Sequence, residues 1–148
     1  MATIHNEICI NAPIDKIWET LSTTDLLDHY DPTVKKSTPL TANKSGIGAK
    51  RKVDMQDGKN WFEERITACV VNQELTYELT ACSFPVESLA HSYSFERADQ
   101  GIRVRQVMIY KVKFGFLGKI MDRLMIKKQS DAGIKKFMAG LKSYVETQ

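Results

Sequence analysis

The spacing of hydrophobic residues changes period twice along the chain. Near the N-terminus it alternates. Ile4, Ile8 and Ile10 share one face and His5, Glu7 and Cys9 the other, which predicts a strand over 3–11. Ile14, Ile17, Trp18 and Leu21 then recur at helical spacing. This predicts a short helix with Asn11 near its cap, Pro13 in its first turn and Asp15 suiting the helix dipole. Thr24 reads as the cap of a second short helix, faced by Leu26, Leu27 and Tyr30. Asp31-Pro32 ends it, because a residue before proline disfavours the helical region.

From Val34 onward the pattern alternates again. A weak, polar strand over 34–40 belongs near an edge. Strands over 49–55, 60–69, 75–81, 86–97 and 102–114 follow, separated by turn residues at Gly46-Ile47-Gly48, Asp57-Gly58, Asn72-Gln73, Ser83-Phe84-Pro85 and Asp99-Gln100-Gly101. The helical period then resumes from about Gly118 to Glu146. Ile120, Met121, Leu124 and Met125 begin the stripe, and Ile134, Phe137, Met138, Leu141, Tyr144 and Val145 continue it without a proline. Such a helix would be about 40 Å long. Gly133 and Gly140, seven apart, read as close-approach points between helix and sheet.

The order β-α-α-β6-α predicts an α+β fold: a curved antiparallel sheet of about seven strands wrapped around a long C-terminal helix. A long sheet curls as it twists. A curled sheet around a straight rod need not close everywhere, so a cavity between them is expected.

Particular residues in this order resemble the START-like helix-grip (SRPBCC) superfamily, within it the polyketide cyclase/dehydrase-like branch. They are Ile10-Asn11-Ala12-Pro13 through Ile17-Trp18, Tyr30-Asp31-Pro32, and Gly46-Ile47-Gly48-Ala49-Lys50-Arg51. Further on come Trp61-Phe62-Glu63-Glu64, Leu75-Thr76-Tyr77, Phe84-Pro85, and Gly140 to Glu146. The likeness spans nearly the whole chain, which is therefore expected to be a single START-like domain over 1–148. It implies a hydrophobic small-molecule ligand, such as the lipids, hormones, quinones or polyketides that members bind. The fold does not choose among these activities.

Composition narrows the field further. With 148 residues, 43% hydrophobic and 26% charged, the chain has the make-up of an ordinary globular protein. No apolar run approaches the roughly 18 residues that cross a bilayer. The N-terminus lacks the basic start and apolar core of a signal peptide. Cys9, Cys69 and Cys82 are odd in number and widely spaced, which favours reduced thiols and a cytoplasmic setting. The net charge of +3 gives no reason to expect nucleic acid. No metal spacing, phosphate loop or nucleophile motif occurs, so neither metal nor cofactor is expected. The chain is expected to be a monomer or a homodimer.

Alternation places Arg51, Val53, Met55, Phe62, Glu64, Tyr77, Leu79, His91, Tyr93, Met108 and Tyr110 on the cavity face, with Met121, Leu124 and Met125 from the helix. Methionine adapts its shape and tyrosine offers both ring and hydroxyl, a lining suited to a flat hydrophobic ligand or to an ordinary core. If Asp57 and Gly58 are the tip of a hairpin, Arg51 and Glu64 lie directly opposite each other. That pair orients a ligand carbonyl or polarises an enolate, or else closes a structural ion pair. His91 is the inward histidine, either a general base or a hydrogen-bonded core residue. Arg51, Glu64 and His91 are thus the catalytic candidates. Phe114, Phe116 and Leu117, between glycines and near several lysines, read as a lid, as a loop that touches an anionic membrane, or as a turn capping the core.

Overall fold

The structure is a computed structural model that describes residues 1–113 and 127–148. Strand β1 (Ala2–Ile10) leads into helices α1 (Ile14–Ser22) and α2 (Leu27–Tyr30). Six strands follow: β2 (Val34–Pro39), β3 (Lys50–Met55), β4 (Trp61–Val70), β5 (Glu74–Cys82), β6 (Val86–Ala98) and β7 (Gly101–Val112). Helix α3 (Lys127–Glu146) closes the order. Its expected beginning near Gly118 lies outside the described residues.

The strands form one seven-stranded sheet in the order β1-β7-β6-β5-β4-β3-β2, every neighbour antiparallel. Hairpins generate all the pairings except that of β1 with β7. The polar strand β2 is an edge, as expected of a segment carrying Lys35, Lys36 and Pro39. β1 lies at the other edge, and α3 packs along it. Lys142 donates to the Cys9 carbonyl at 2.8 Å, and the Asn11 N–H donates to Glu146 Oε1 at 2.8 Å.

The alternation survives most clearly in the burial of the last strand. Val104, Gln106, Met108 and Tyr110 of β7 are buried, while Arg105, Ile109 and Lys111 are exposed. From α3, Ile134, Phe137, Met138, Leu141 and Val145 enter the same core. Phe137 reaches two aromatic neighbours, Tyr30 and Tyr93, at centroid distances of 5.6 and 6.0 Å.

Three local expectations are corrected. The residue capping α1 is Pro13, and Asn11 instead ties the chain to Glu146. Thr24 caps nothing. It is buried, its hydroxyl has no partner among the described residues, and α2 starts three residues later behind Leu26. Gly140 does allow a close approach, but to α2 rather than to the sheet: a Cβ there would collide with the Tyr30 carbonyl oxygen. Gly133 faces open space, with nothing within 4 Å of where a Cβ would stand. Gly133 lies on the cavity described below, whereas Gly140 seats the end of α2.

Candidate functional site: a cavity between sheet and helix

The Asp57-Gly58 turn sets the register on which the site depends. Asp57 accepts hydrogen bonds from the backbone of Lys59 and Asn60, and Gly58 takes φ +72. The turn therefore pairs Asp54 with Trp61, Val53 with Phe62 and Arg51 with Glu64. The last pairing sets two charged side chains side by side inside the sheet, 2% and 1% exposed.

Both form a tight ion pair. Arg51 Nη2 lies 2.7 Å and Nε 2.9 Å from Glu64 Oε2. Tyr77 supports the guanidinium from below, its ring centroid 4.1 Å from Arg51 Cζ. The other carboxylate oxygen, Glu64 Oε1, lies 2.8 Å from His91 Nε2. His91 Nδ1 lies 3.4 Å from the Tyr93 hydroxyl, to which Gln106 Nε2 donates at 3.0 Å. Since that hydroxyl accepts from Gln106, its own proton points to Nδ1. The network thus assigns the imidazole proton to Nε2, donating to Glu64. Arg51, Glu64, His91, Tyr93 and Gln106 form a continuous chain of polar contacts from β3 to β7.

The pair sets the local electrostatics. Burial pushes the Glu64 carboxyl up, but the Arg51 guanidinium and the His91 ring pull harder, and its pKa falls to about 2. Burial raises the Tyr93 hydroxyl well above its ordinary range, so it remains a neutral donor. Burial also raises the Asp31 carboxyl, against the hydrogen bonds it accepts from Thr33.

This chain lines one side of a cavity of about 630 Å³ between the sheet and α3, within the usual range for small-ligand sites. Most of the residues expected on this wall are there. β3 and β4 contribute Arg51, Met55, Phe62 and Glu64; β5 and β6 contribute Leu79, His91 and Tyr93; β7 contributes Met108 and Tyr110. Two expected residues do not line it. Val53 is fully buried, paired with Ser37 of β2. Tyr77 points past the cavity and donates to the Leu21 carbonyl at 2.8 Å. Met121, Leu124 and Met125, and the loop residues Phe114, Phe116 and Leu117, lie outside the described residues.

Sequence reasoning missed several wall residues. Gln106 and Leu89 sit on the alternating faces already identified, so their positions carried the signal. Phe84, Pro85 and Val86 come from what had read only as a break between strands. Ile134 and Phe137 enter from α3, and Asp31 from the end of α2. Exposed polar groups at Asp57, Asn60, Ser83 and Gln129 surround one end, while Leu27, Asp31, Tyr93 and Phe137 stand at the other.

Among the described residues no cluster of three or more His, Cys, Asp or Glu side chains could hold a metal ion. No described helix is long and apolar enough to cross a membrane.

The fold is shared with solved structures of low sequence identity. The protein TTHA0849 from Thermus thermophilus superposes with a TM-score of 0.79 at 16% identity, over 97% of each chain. A START superfamily protein from Mycobacterium smegmatis does so with 0.79 at 14% identity, over 98% of this chain and 97% of that one. The di-domain ARO/CYC protein BexL of the BE-7585A biosynthetic pathway gives 0.78 at 14% identity, over 99% of this chain and 47% of its own. No curated protein matches the chain. Residues 1–146 match the sequence pattern of one family throughout, and with the helix-grip architecture this places the chain in the polyketide cyclase/dehydrase and lipid transport family.

Proposed function

We propose that the chain acts as one domain that binds a hydrophobic or aromatic small molecule between the sheet and α3. One observation carries the reading. A pocket of about 630 Å³ runs between the sheet and α3, open at an end rimmed by exposed polar groups and walled by apolar ones such as Met55, Phe62, Leu89 and Met108. A concave, mostly apolar space with a few polar groups is what a small-molecule site requires. Family membership agrees with an apolar ligand. Native mass spectrometry of gently purified protein tests the proposal. A non-covalent adduct lost on denaturation is expected, and its absence from every preparation, together with failure to bind any apolar probe, would contradict it.

A second reading, an enzyme of the cyclase/dehydrase type, draws on the arrangement of His91. Glu64 fixes the ring on one side, and the side chain remains 15% exposed at the cavity wall. In this reading the Tyr93 hydroxyl, whose proton otherwise points to Nδ1, turns away so that Nδ1 can take a proton from a bound carbonyl compound, and Arg51 steadies the resulting enolate. His91→Ala would then abolish turnover while leaving affinity for the same compound intact. A carrier that docks on membranes through residues 114–117 gains no support from the described residues.

A further inference from the structure

The pocket is acidic in a basic protein. The chain carries a net charge of +3. Yet the described residues that line the pocket include three carboxyls, Asp31, Asp57 and Glu64, and one guanidinium, Arg51. Arg51 and Glu64 neutralise each other, and His91 with a single ring proton adds no charge. Asp57 stands in solvent at the rim, engaged by its own turn. That leaves Asp31, 8% exposed and at the inner end, with no lysine, arginine or histidine paired to it among the described residues.

The turn that holds Asp31 does not require its charge. Oδ1 accepts from the Thr33 N–H at 2.9 Å and from the Thr33 hydroxyl at 2.7 Å, bonds that an asparagine oxygen accepts equally well. Oδ2 accepts no hydrogen bond among the described residues, and it is not sealed off as Arg51 Nη1 and Gln106 Oε1 are. Burial holds the carboxyl above its ordinary range, and neither Thr33 nor Arg51 undoes this. A buried carboxylate short of a cation is unfavourable, and an opposite charge beside it offsets much of that cost. An anion would meet Asp31 with Arg51 already answered by Glu64, and a neutral ligand would leave the carboxylate unpaired. Tyr93 and Phe137, their rings 6.0 Å apart, line the same pocket, and an ammonium is attracted to aromatic faces.

We propose that the ligand is a cationic amphiphile, an apolar or aromatic body that carries a protonated amine. The ammonium donates to Asp31 Oδ2 at the inner end, beside Tyr93 and Phe137, and the apolar body extends along Phe62, Leu89 and Met108. This inference rests on the cavity being a ligand site, and it adds the charge of the ligand and the residue that reads it.

Calorimetric titration near pH 7 with naphthalene probes of similar shape tests it: the cation 2-(1-naphthyl)ethylammonium, the neutral 2-(1-naphthyl)ethanol and the anion 1-naphthylacetate. The ammonium is expected to bind about tenfold more tightly than the alcohol, and the carboxylate more weakly than either. In Asp31→Asn, which keeps the Thr33 hydrogen bonds, the preference for the ammonium should vanish while the alcohol binds as before. If the alcohol or the carboxylate binds as tightly as the ammonium in the native protein, the assignment of charge fails while the cavity remains a ligand site. The same holds if the preference survives in Asp31→Asn. If none of the probes binds, both proposals fail. The comparison on the unaltered protein decides the matter even if Asp31→Asn does not fold.

Discussion

Glu64 is the residue on which the interior most depends. Its carboxyl titrates at about 2 in the folded protein against an ordinary value of 4.5, so the folded state binds fewer protons than the unfolded chain between these values. The stability contributed by the pair is therefore complete above about pH 4.5 and is lost as pH falls towards 2, a change of about 3 kcal/mol. Denaturant titrations across this interval should show the loss, and a Glu64→Gln variant should lack that share of it. At neutral pH the same variant leaves Arg51 charged and unpaired, and should be less stable by about 3–5 kcal/mol. Replacing both partners together, as Arg51→Met with Glu64→Leu, should cost far less than the single change. Equal losses in the single and double variants would show that the ion pair is not the interaction that matters.

At the scale of elements, the two glycines of α3 behave oppositely. Gly140→Ala drives a methyl group into the Tyr30 carbonyl at the end of α2 and should lower the melting temperature markedly. Gly133→Ala adds a methyl group to open space and gains helix propensity, so it should stabilise by up to about 1 kcal/mol. Thermal melts of the two variants check both signs. These positions also mark what could be read from the chain in advance. Strand alternation and the Asp57-Gly58 turn were strong local signals, and they located all seven strands and the Arg51–Glu64 register. The identity of the caps and the neighbour of Gly140 were not legible, because each depends on a contact distant in sequence. Asn11 meets Glu146 across 135 residues, and Gly140 meets the end of α2. Val53 and Tyr77 were assigned to the correct face of the sheet. A face, however, does not reveal where along its curve the core closes and the cavity begins.

Over the whole molecule, a long curved sheet meets a straight helix, and the two pack tightly at only part of their length. Leu141 and Val145 are sealed against the core, whereas Gly133 opens onto the cavity. The polar chain from β3 to β7 runs along the sheet wall of the space left between them. Binding and catalysis both require that space to be open and reachable. The most direct measurement is a fluorescence titration with the apolar dye N-phenyl-1-naphthylamine, comparing the native protein with Met108→Trp, which puts an indole into the cavity. Saturable binding with one dye per chain is expected in the native protein, and its loss in a variant of native-like circular dichroism. Undiminished binding in the variant, or no binding in either, would contradict a ligand site between sheet and helix.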